Sequence, residues 1–261
     1  MTLIVLCGIF LILLSYGFFW TVDKEVSKDG PGYELVSHRG LSCELPENTI
    51  EAFLGAIKKG FKWIELDVIC TKDGVLVCAH NFDMERETDS YGYINEMTLK
   101  QVKSAYTGVN RGFSGGYRIP ALKEVLAVLP KDVGLNIEIK TSSLFDFKAA
   151  RALKKLIKHS KERKIIVSSF NPFALFYYKT KIGAAPVGFL LESKQFLWVV
   201  NWLHPTYLHV RADMLNSSII DFCKRKEMTL LAWTVNNREA IKYCFNNNVK
   251  GVITDWREAT I

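Results

Sequence analysis

Beyond residue 33, short runs of apolar residues alternate with segments in which apolar positions recur at helical spacing. Near-continuous apolar strands separated by helices are typical of a parallel sheet that helices cover. The pattern predicts eight such strands: Leu35 to Ser37, Trp63 to Ile69, Leu135 to Ile139, Ile165 to Ser168, Pro186 to Leu191, Tyr207 to Val210, Thr229 to Val235 and Gly251 to Thr254. A further short strand, Val75 to Ala79, is expected to pair with the second.

Eight strand–helix units in residues 33–261 predict an α/β protein with a TIM (β/α)8 barrel. A doubly wound open sheet is the alternative, but neither a GxGxxG motif nor a P-loop follows the first strand. In a TIM barrel the active site lies at the carboxyl ends of the strands. The polar residues at those ends are therefore the candidates for chemistry.

The first twenty residues form a separate apolar segment without a charged side chain. Its length is close to the ~20 residues of a bilayer-spanning helix, and Phe18, Phe19 and Trp20 resemble the aromatic belt of a membrane interface. Residues 1–20 are interpreted as a transmembrane anchor or an uncleaved signal, residues 21–32 as a linker and residues 33–261 as the barrel. The expected location is a membrane, with a single N-terminal anchor.

Composition and charge narrow the classes of partner. The chain has 261 residues, a hydrophobic fraction of 49% and a net charge of +7, so it can form one sizeable core and is not disordered. A net positive charge suits a phosphate-bearing ligand or an anionic membrane surface. Nucleic acid is not an expected partner, because the sequence has no basic stripe with interleaved aromatic residues. Six cysteines without a CxxC pair indicate neither a zinc site nor a disulfide framework.

Three acidic residues are expected to meet inside the barrel. Glu65 and Asp67 are two positions apart on the second predicted strand, so both side chains point to one face, and Glu138 lies on the next strand. Unpartnered carboxylates at one place repel each other and resist ionisation. One divalent cation, Mg²⁺ or Ca²⁺, would relieve this repulsion. The alternative is an ion-pair network of these acids with Arg39 and Lys140.

Two histidines lie at the ends of predicted strands beside the acids. His38 ends the first strand, and His80 ends the extension of the second. Two imidazoles flanking a metal-bound phosphate can act as general base and general acid. Arg39 and Lys140 offer positive charge to phosphate oxygens. Trp233, on the seventh strand, forms either an apolar wall for the substrate or ordinary barrel packing.

These residues stand in motifs that resemble the glycerophosphodiester phosphodiesterase family. The similar stretches are HRGLSCELPENTIEAF, WIELDVICTKDGVLVCAHN, RIPALKEVL, NIEIK, LLAWTVNNREA and GVITD, from about Glu34 to Asp255. The resemblance implies a TIM barrel with a small insertion after the second strand, at about residues 81–118. It also implies metal-dependent hydrolysis of a phosphodiester to an alcohol and glycerol 3-phosphate.

The resemblance assigns roles to particular positions. It makes His38 and His80 the acid–base pair and Arg39 and Lys140 the phosphate contacts, and it places Glu47 beside the metal and the substrate. The metal ligands that it implies are Glu65, Asp67 and Glu138. One departure stands next to the second histidine, where the family usually has Asp and this chain has Asn81.

Several alternatives stay open at the level of sequence. The same residues suit a lysophospholipase D that releases lysophosphatidic acid from lysophospholipids, a phospholipase C-like barrel, or a membrane-tethered protein that binds phospholipid headgroups without turnover. The apolar segment of residues 195–203 is expected either to pack on the barrel or to face a membrane beside the site opening. The sequence contains no pattern that specifies an oligomeric state.

Overall fold

A computed structural model describes residues 2–23, 28, 30–157 and 162–259. Its strands are β1 (Glu34–His38), β2 (Trp63–Cys70), β3 (Leu76–Cys78), β4 (Gly134–Ile139), β5 (Ile165–Ser169), β6 (Val187–Leu191), β7 (Tyr207–Arg211), β8 (Thr229–Trp233) and β9 (Gly251–Thr254). Its α-helices are α1 (Thr2–Phe18), α2 (Ile50–Lys58), α3 (Leu99–Val102), α4 (Leu122–Val128), α5 (Lys148–Ile157), α6 (Pro172–Lys181), α7 (Leu197–Leu203), α8 (Ser217–Arg225) and α9 (Arg238–Asn246).

The sheet closes on itself. Strand β1 pairs in parallel with both β2 and β9, and the remaining parallel pairs run in the order β9, β8, β7, β6, β5, β4, β2. Strand β3 is the exception, because it pairs antiparallel with β2, as expected for the predicted extra strand. The eight-stranded barrel is therefore confirmed, and the open-sheet alternative is wrong because β1 has a partner on each side.

Apolar residues pack inside the barrel and also between its strands and the surrounding helices. A cluster inside the barrel comprises Val36, Trp63, Ile166, Tyr207, Leu231 and Ile253. A larger cluster packs the outward faces of the strands against the surrounding helices. Trp63, Ile166 and Tyr207 of this cluster lie near the amino ends of their strands, whereas His38, Glu138 and Lys140 lie at carboxyl ends.

Side-chain caps fix where several helices begin. Thr49 precedes α2, and its Oγ1 accepts a hydrogen bond from the amide of Ala52 at 3.2 Å. Asn171, Asn216 and Asn237 cap α6, α8 and α9 in the same way. Such caps satisfy amides that have no partner within the helix. The loops that follow β1, β5, β7 and β8 thus end at a defined helix start.

The chain between β3 and α4 forms a small structure of its own beside the barrel opening. It contains α3, two single-turn 3₁₀ helices and two isolated bridges, Asp83 to Tyr93 and Thr88 to Thr107. A separate apolar cluster stabilises it: Ile69, Val77, Ala79, Met84, Ile94, Val102, Ala105 and Ile119. This segment contains His80 and the residues of the predicted insertion, 81–118.

The N-terminal helix differs from the prediction of a membrane-spanning anchor. Helix α1 covers 17 residues, Thr2–Phe18, which corresponds to about 25 Å of helix against the ~30 Å hydrocarbon core of a bilayer. Among the described residues, no helix is both long enough and apolar enough to cross a membrane. Residue 1 of the predicted anchor and residues 24–27 and 29 of the predicted linker lie outside the described residues.

Candidate active site

The three predicted acids meet at the carboxyl ends of β2 and β4. Strand pairing sets Asp67 directly opposite Glu138, and Glu65 is one inward-facing position earlier on β2. One carboxylate oxygen from each residue lies within 4.8 Å of the others. All three side chains are buried, so the cluster is part of the barrel interior and not a solvated acidic surface.

Burial and mutual repulsion perturb these carboxylates. Burial, followed by the charges of Asp67 and Glu138, raises the pKa of Glu65 well above its usual value. Burial likewise raises the pKa of Glu138 to about 7. A cation held between the oxygens would favour the ionised forms, and hard oxygen ligands suit Mg²⁺ or Ca²⁺. The donor set therefore fits a divalent cation.

Two basic side chains also contact the acids. The Lys140 Nζ lies 3.0 Å from Asp67 Oδ1 and also contacts Glu138, and Arg39 Nε lies 3.2 Å from Asp67 Oδ2. Burial alone would favour neutral Asp67, but the charges of Lys140 and Arg39 outweigh it and lower its pKa. The ion-pair network considered as an alternative thus exists together with the carboxylate cluster.

His38 is fixed by a residue from the other end of the chain. Its Nδ1 lies 2.8 Å from Oδ1 of Asp255, which directly follows β9. Although burial opposes ionisation, hydrogen bonds from His38, Asn236 and Ser42 lower the pKa of Asp255 to about 2. An ionised Asp255 accepts a hydrogen bond from the Nδ1–H of His38, so Nε2 of His38 is the nitrogen available for chemistry. The residue motifs did not mark Asp255 as functional, although it was visible as the polar residue after the last strand.

His80 is oriented by the residue that departs from the family pattern. Its Nδ1 lies 3.0 Å from Oδ1 of Asn81, and Arg86 donates to the same oxygen at 3.3 Å. Because this amide oxygen is an acceptor, Nδ1 carries the proton and Nε2 keeps its lone pair. Burial lowers the pKa of His80, which favours the neutral ring. Asn81 therefore retains the orienting contact that an aspartate would make, without its charge.

The loop between β1 and α2 turns sharply to bring Arg39 and Asn48 to the acids. Both residues have left-handed backbone conformations, with φ of 55° and 58°. The Asn48 side chain donates to Asp67 Oδ2 at 2.9 Å and accepts from the Asp67 amide at 3.1 Å. The sequence analysis did not identify Asn48 as a contact of the acids, and its neighbour Thr49 caps α2.

Glu47 lies beside the cluster without joining it. Its Oε1 accepts a hydrogen bond from Arg39 at 2.7 Å, and its Oε2 accepts one from Arg111 at 3.4 Å. It lines an adjacent cavity together with His80 and is not one of the three clustered carboxylates. Glu47 therefore holds the guanidinium of Arg39 in position and also contacts that of Arg111.

Apolar side chains form one wall of the cavity that His38 and His80 line. Trp233 lies on this wall and donates from Nε1 to the His209 carbonyl at 3.1 Å. Phe170 packs edge-on against Trp233 with ring centroids 5.4 Å apart, and Leu190 completes the wall. The opposite side carries the polar residues His38, Arg39, Glu65, His80, Glu138 and Lys140. The sequence analysis did not identify Phe170, which directly follows Ser168 and Ser169 at the end of β5.

The fold and the site are those of a barrel hydrolase that acts on a phosphate ester, with two oriented imidazoles beside a carboxylate cluster that fits a divalent cation. The family model of the glycerophosphoryl diester phosphodiesterase family matches residues 38–258. The chain belongs to this family and is a phosphoric diester hydrolase.

Individual relatives agree with this assignment. The chain is 33% identical over 240 residues to a glycerophosphodiester phosphodiesterase of Caldanaerobacter subterraneus, which covers 87% of this chain and 96% of the relative. A solved phosphodiesterase of Oleispira antarctica, in complex with the product sn-glycerol-3-phosphate, is 26% identical with a TM-score of 0.79 and coverages of 86% and 93%. The Thermotoga maritima glycerophosphodiester phosphodiesterase is 30% identical with a TM-score of 0.70, over 86% of this chain and 95% of that structure.

Proposed function

We propose that this protein hydrolyses glycerophosphodiesters, the deacylated forms of phospholipids, to an alcohol and glycerol 3-phosphate. The observation that carries the proposal is the pair of histidines, each with Nδ1 engaged, beside three buried carboxylates in one cavity. The product bound to the Oleispira antarctica relative supports the same class of substrate.

Different partners suggest different roles for the two histidines. His80 is the general base, because its neutral form is favoured and its Nε2 can accept a proton from the attacking water. His38 is the general acid, because its Nδ1 is bonded to Asp255 and its Nε2 can carry the proton that passes to the leaving alcohol oxygen.

The remaining side chains bind the phosphodiester. Glu65, Asp67 and Glu138 would hold a divalent cation, Mg²⁺ or Ca²⁺, which would supply Lewis-acid charge to the phosphodiester. Arg39 and Lys140 neutralise the phosphoryl oxygens, and Glu47 keeps Arg39 in position. The wall of Trp233, Phe170 and Leu190 contacts the carbon skeleton of the substrate.

Attachment of the protein to a membrane through α1 is part of the proposal. Four consecutive residues, Leu11 to Leu14, are exposed by 63%, 68%, 46% and 39%. Because four consecutive residues point to all sides of a helix, α1 exposes apolar surface around its circumference. A helix that is apolar all round suits a lipid environment better than a single protein groove.

The test of the catalytic proposal uses the full-length protein in detergent. After treatment with EDTA, glycerol 3-phosphate release from glycerophosphocholine is followed with Mg²⁺ or Ca²⁺ restored. Turnover is expected only with the metal, and His80→Ala is expected to lower kcat by about 10²–10⁴-fold. Turnover that EDTA does not affect, or a His80→Ala protein with normal kcat, would contradict the proposal.

A further inference from the structure

Helix α1 is fixed to the barrel at its carboxyl end. Tyr16 donates from its hydroxyl to the carbonyl of Trp202, at the end of α7, at 3.1 Å. Lys226, just after α8, donates to the carbonyl of Phe18 at 2.6 Å, and its own carbonyl accepts the amide of Val22 at 2.9 Å. These contacts join the carboxyl end of α1 to two different helices of the barrel.

The attachment lies at the opposite end of the barrel from the catalytic cavity. Lys226 comes shortly before β8, which begins at Thr229, and Trp233 at the other end of β8 lines the cavity. His204 likewise precedes β7. A five-residue strand is about 16 Å long. The length of the barrel therefore separates the α1 attachment from the catalytic residues.

Aromatic and basic side chains surround the point where α1 leaves the barrel. His204 lies between Tyr16 and Trp20, with both centroid distances 4.3 Å, and Trp202 is 5.9 Å from Tyr16. The Lys226 ammonium lies 4.9 Å from the centre of the Trp20 ring. We name these five residues the basal collar. Tyrosine and tryptophan are enriched at membrane–water interfaces, and basic residues attract anionic headgroups.

One residue of the predicted apolar segment 195–203, Trp202, belongs to the basal collar. Helix α7 buries Val199, Val200 and Leu203 against the barrel, while Trp198 and Trp202 stay 62% and 41% exposed. The helix ends at the collar, so its exposed tryptophan Trp202 lies at the α1 attachment and not at the site opening.

We propose that an anionic lipid bilayer lies against the basal collar with α1 embedded in it, so that the catalytic opening faces the aqueous phase. The inference rests on the proposed function and on the proposed attachment of α1. Its consequence concerns the substrate: the site takes water-soluble glycerophosphodiesters from solution, and not lysophospholipids that reside in the bilayer to which the protein is bound. A protein partner would need to match only one side of α1, whereas its apolar residues face all sides.

Native cysteines allow a direct test of this orientation. Cys7 on α1 and Cys43 are exposed, and the other four cysteines are buried. Cys43 follows Ser42, whose hydroxyl contacts Asp255, so it marks the catalytic end. Three proteins each carry one fluorescent label. The label is at Cys7 in the Cys43→Ser protein, at Cys43 in the Cys7→Ser protein, and at the basal position Lys224→Cys in the protein with both serine substitutions. Each protein is placed in phosphatidylcholine–phosphatidylglycerol vesicles that contain brominated lipid.

The expected result is strong quenching of the Cys7 label, intermediate quenching of the basal label and none of the Cys43 label. Quenching at Cys43 that equals or exceeds that at Lys224→Cys would overturn the proposed orientation, and an unquenched Cys7 label would overturn the embedding of α1. These outcomes do not depend on turnover, so they are independent of the proposed function.

A matched kinetic comparison tests the substrate inference. The vesicle-bound protein should hydrolyse added glycerophosphocholine within about twofold of the rate in detergent, and lysophosphatidylcholine within the same vesicles at least about tenfold more slowly. Faster hydrolysis of the bilayer-resident lysolipid than of glycerophosphocholine would refute the inference. Absence of glycerophosphocholine turnover in detergent would instead contradict the proposed function, while the quenching pattern still decides the orientation.

Discussion

The contact between Asp255 and His38 provides the sharpest test of the assigned roles. Asp255→Asn removes the negative charge 2.8 Å from Nδ1 of His38 while it retains the shape of the side chain. A hydrogen bond between charged groups contributes about 1.5–3 kcal/mol, which corresponds to about 10- to 150-fold in rate. Because the Asp255 side chain is 35% exposed, solvent screening puts the expected loss of kcat in the lower half of that range.

The leaving group distinguishes this role from a structural one. A general acid matters least when the leaving group needs no proton, so Asp255→Asn should lose less kcat on a p-nitrophenyl phosphodiester than on glycerophosphocholine. Ser42→Ala is the matched control, because Ser42 donates to the same carboxylate oxygen at 3.1 Å. This control should change kcat by less than about threefold on both substrates. Unchanged kcat, or equal losses on the two substrates, in a folded Asp255→Asn protein would refute the acid role of His38.

Three further substitutions test separate parts of the site and the fold. Asn81→Asp places a charge at the Oδ1 position 3.0 Å from His80 Nδ1, so the His80 pKa, which burial lowers, should rise and shift the acidic limb of the pH–rate profile to higher pH. Glu138→Gln removes one of three clustered carboxylates and should raise the Mg²⁺ concentration for half-maximal activity by more than about tenfold, measured by metal titration. Thr49→Ala removes the cap bonded to Ala52 and should lower the free energy of unfolding in urea by about 1 kcal/mol, with kcat unchanged.

The positions of the strands could be predicted because strands that are buried on both faces consist of near-continuous apolar residues. All eight residues of β2 are buried, and its two acids stand out within an apolar run. The rule that barrel sites lie at strand carboxyl ends then brings Glu65, Asp67 and Glu138 together without knowledge of the coordinates. The boundaries were less exact, since β1 begins at Glu34 and ends at His38 itself.

Residues that act through long-range contacts were harder to predict. Asp255 is 217 positions from His38, and only closure of the barrel makes β1 and β9 neighbours. Asn48 contacts Asp67 because a left-handed turn redirects the loop, which the residue pattern does not specify. The length of α1 was overestimated for another reason: hydropathy does not mark where an apolar helix ends, and Phe19 and Trp20 lie beyond its last residue.

The metal site and the ion-pair network were weighed as alternatives, yet the structure shows why they can coexist. Asp67 contacts both Lys140 and Arg39, whereas the pKa of Glu65 is raised despite these same cations. Three carboxylates against two basic groups leave an excess of one negative charge when all are ionised. The basic residues can therefore hold the acids together in the folded protein before any cation binds, and the excess charge still favours a divalent ion.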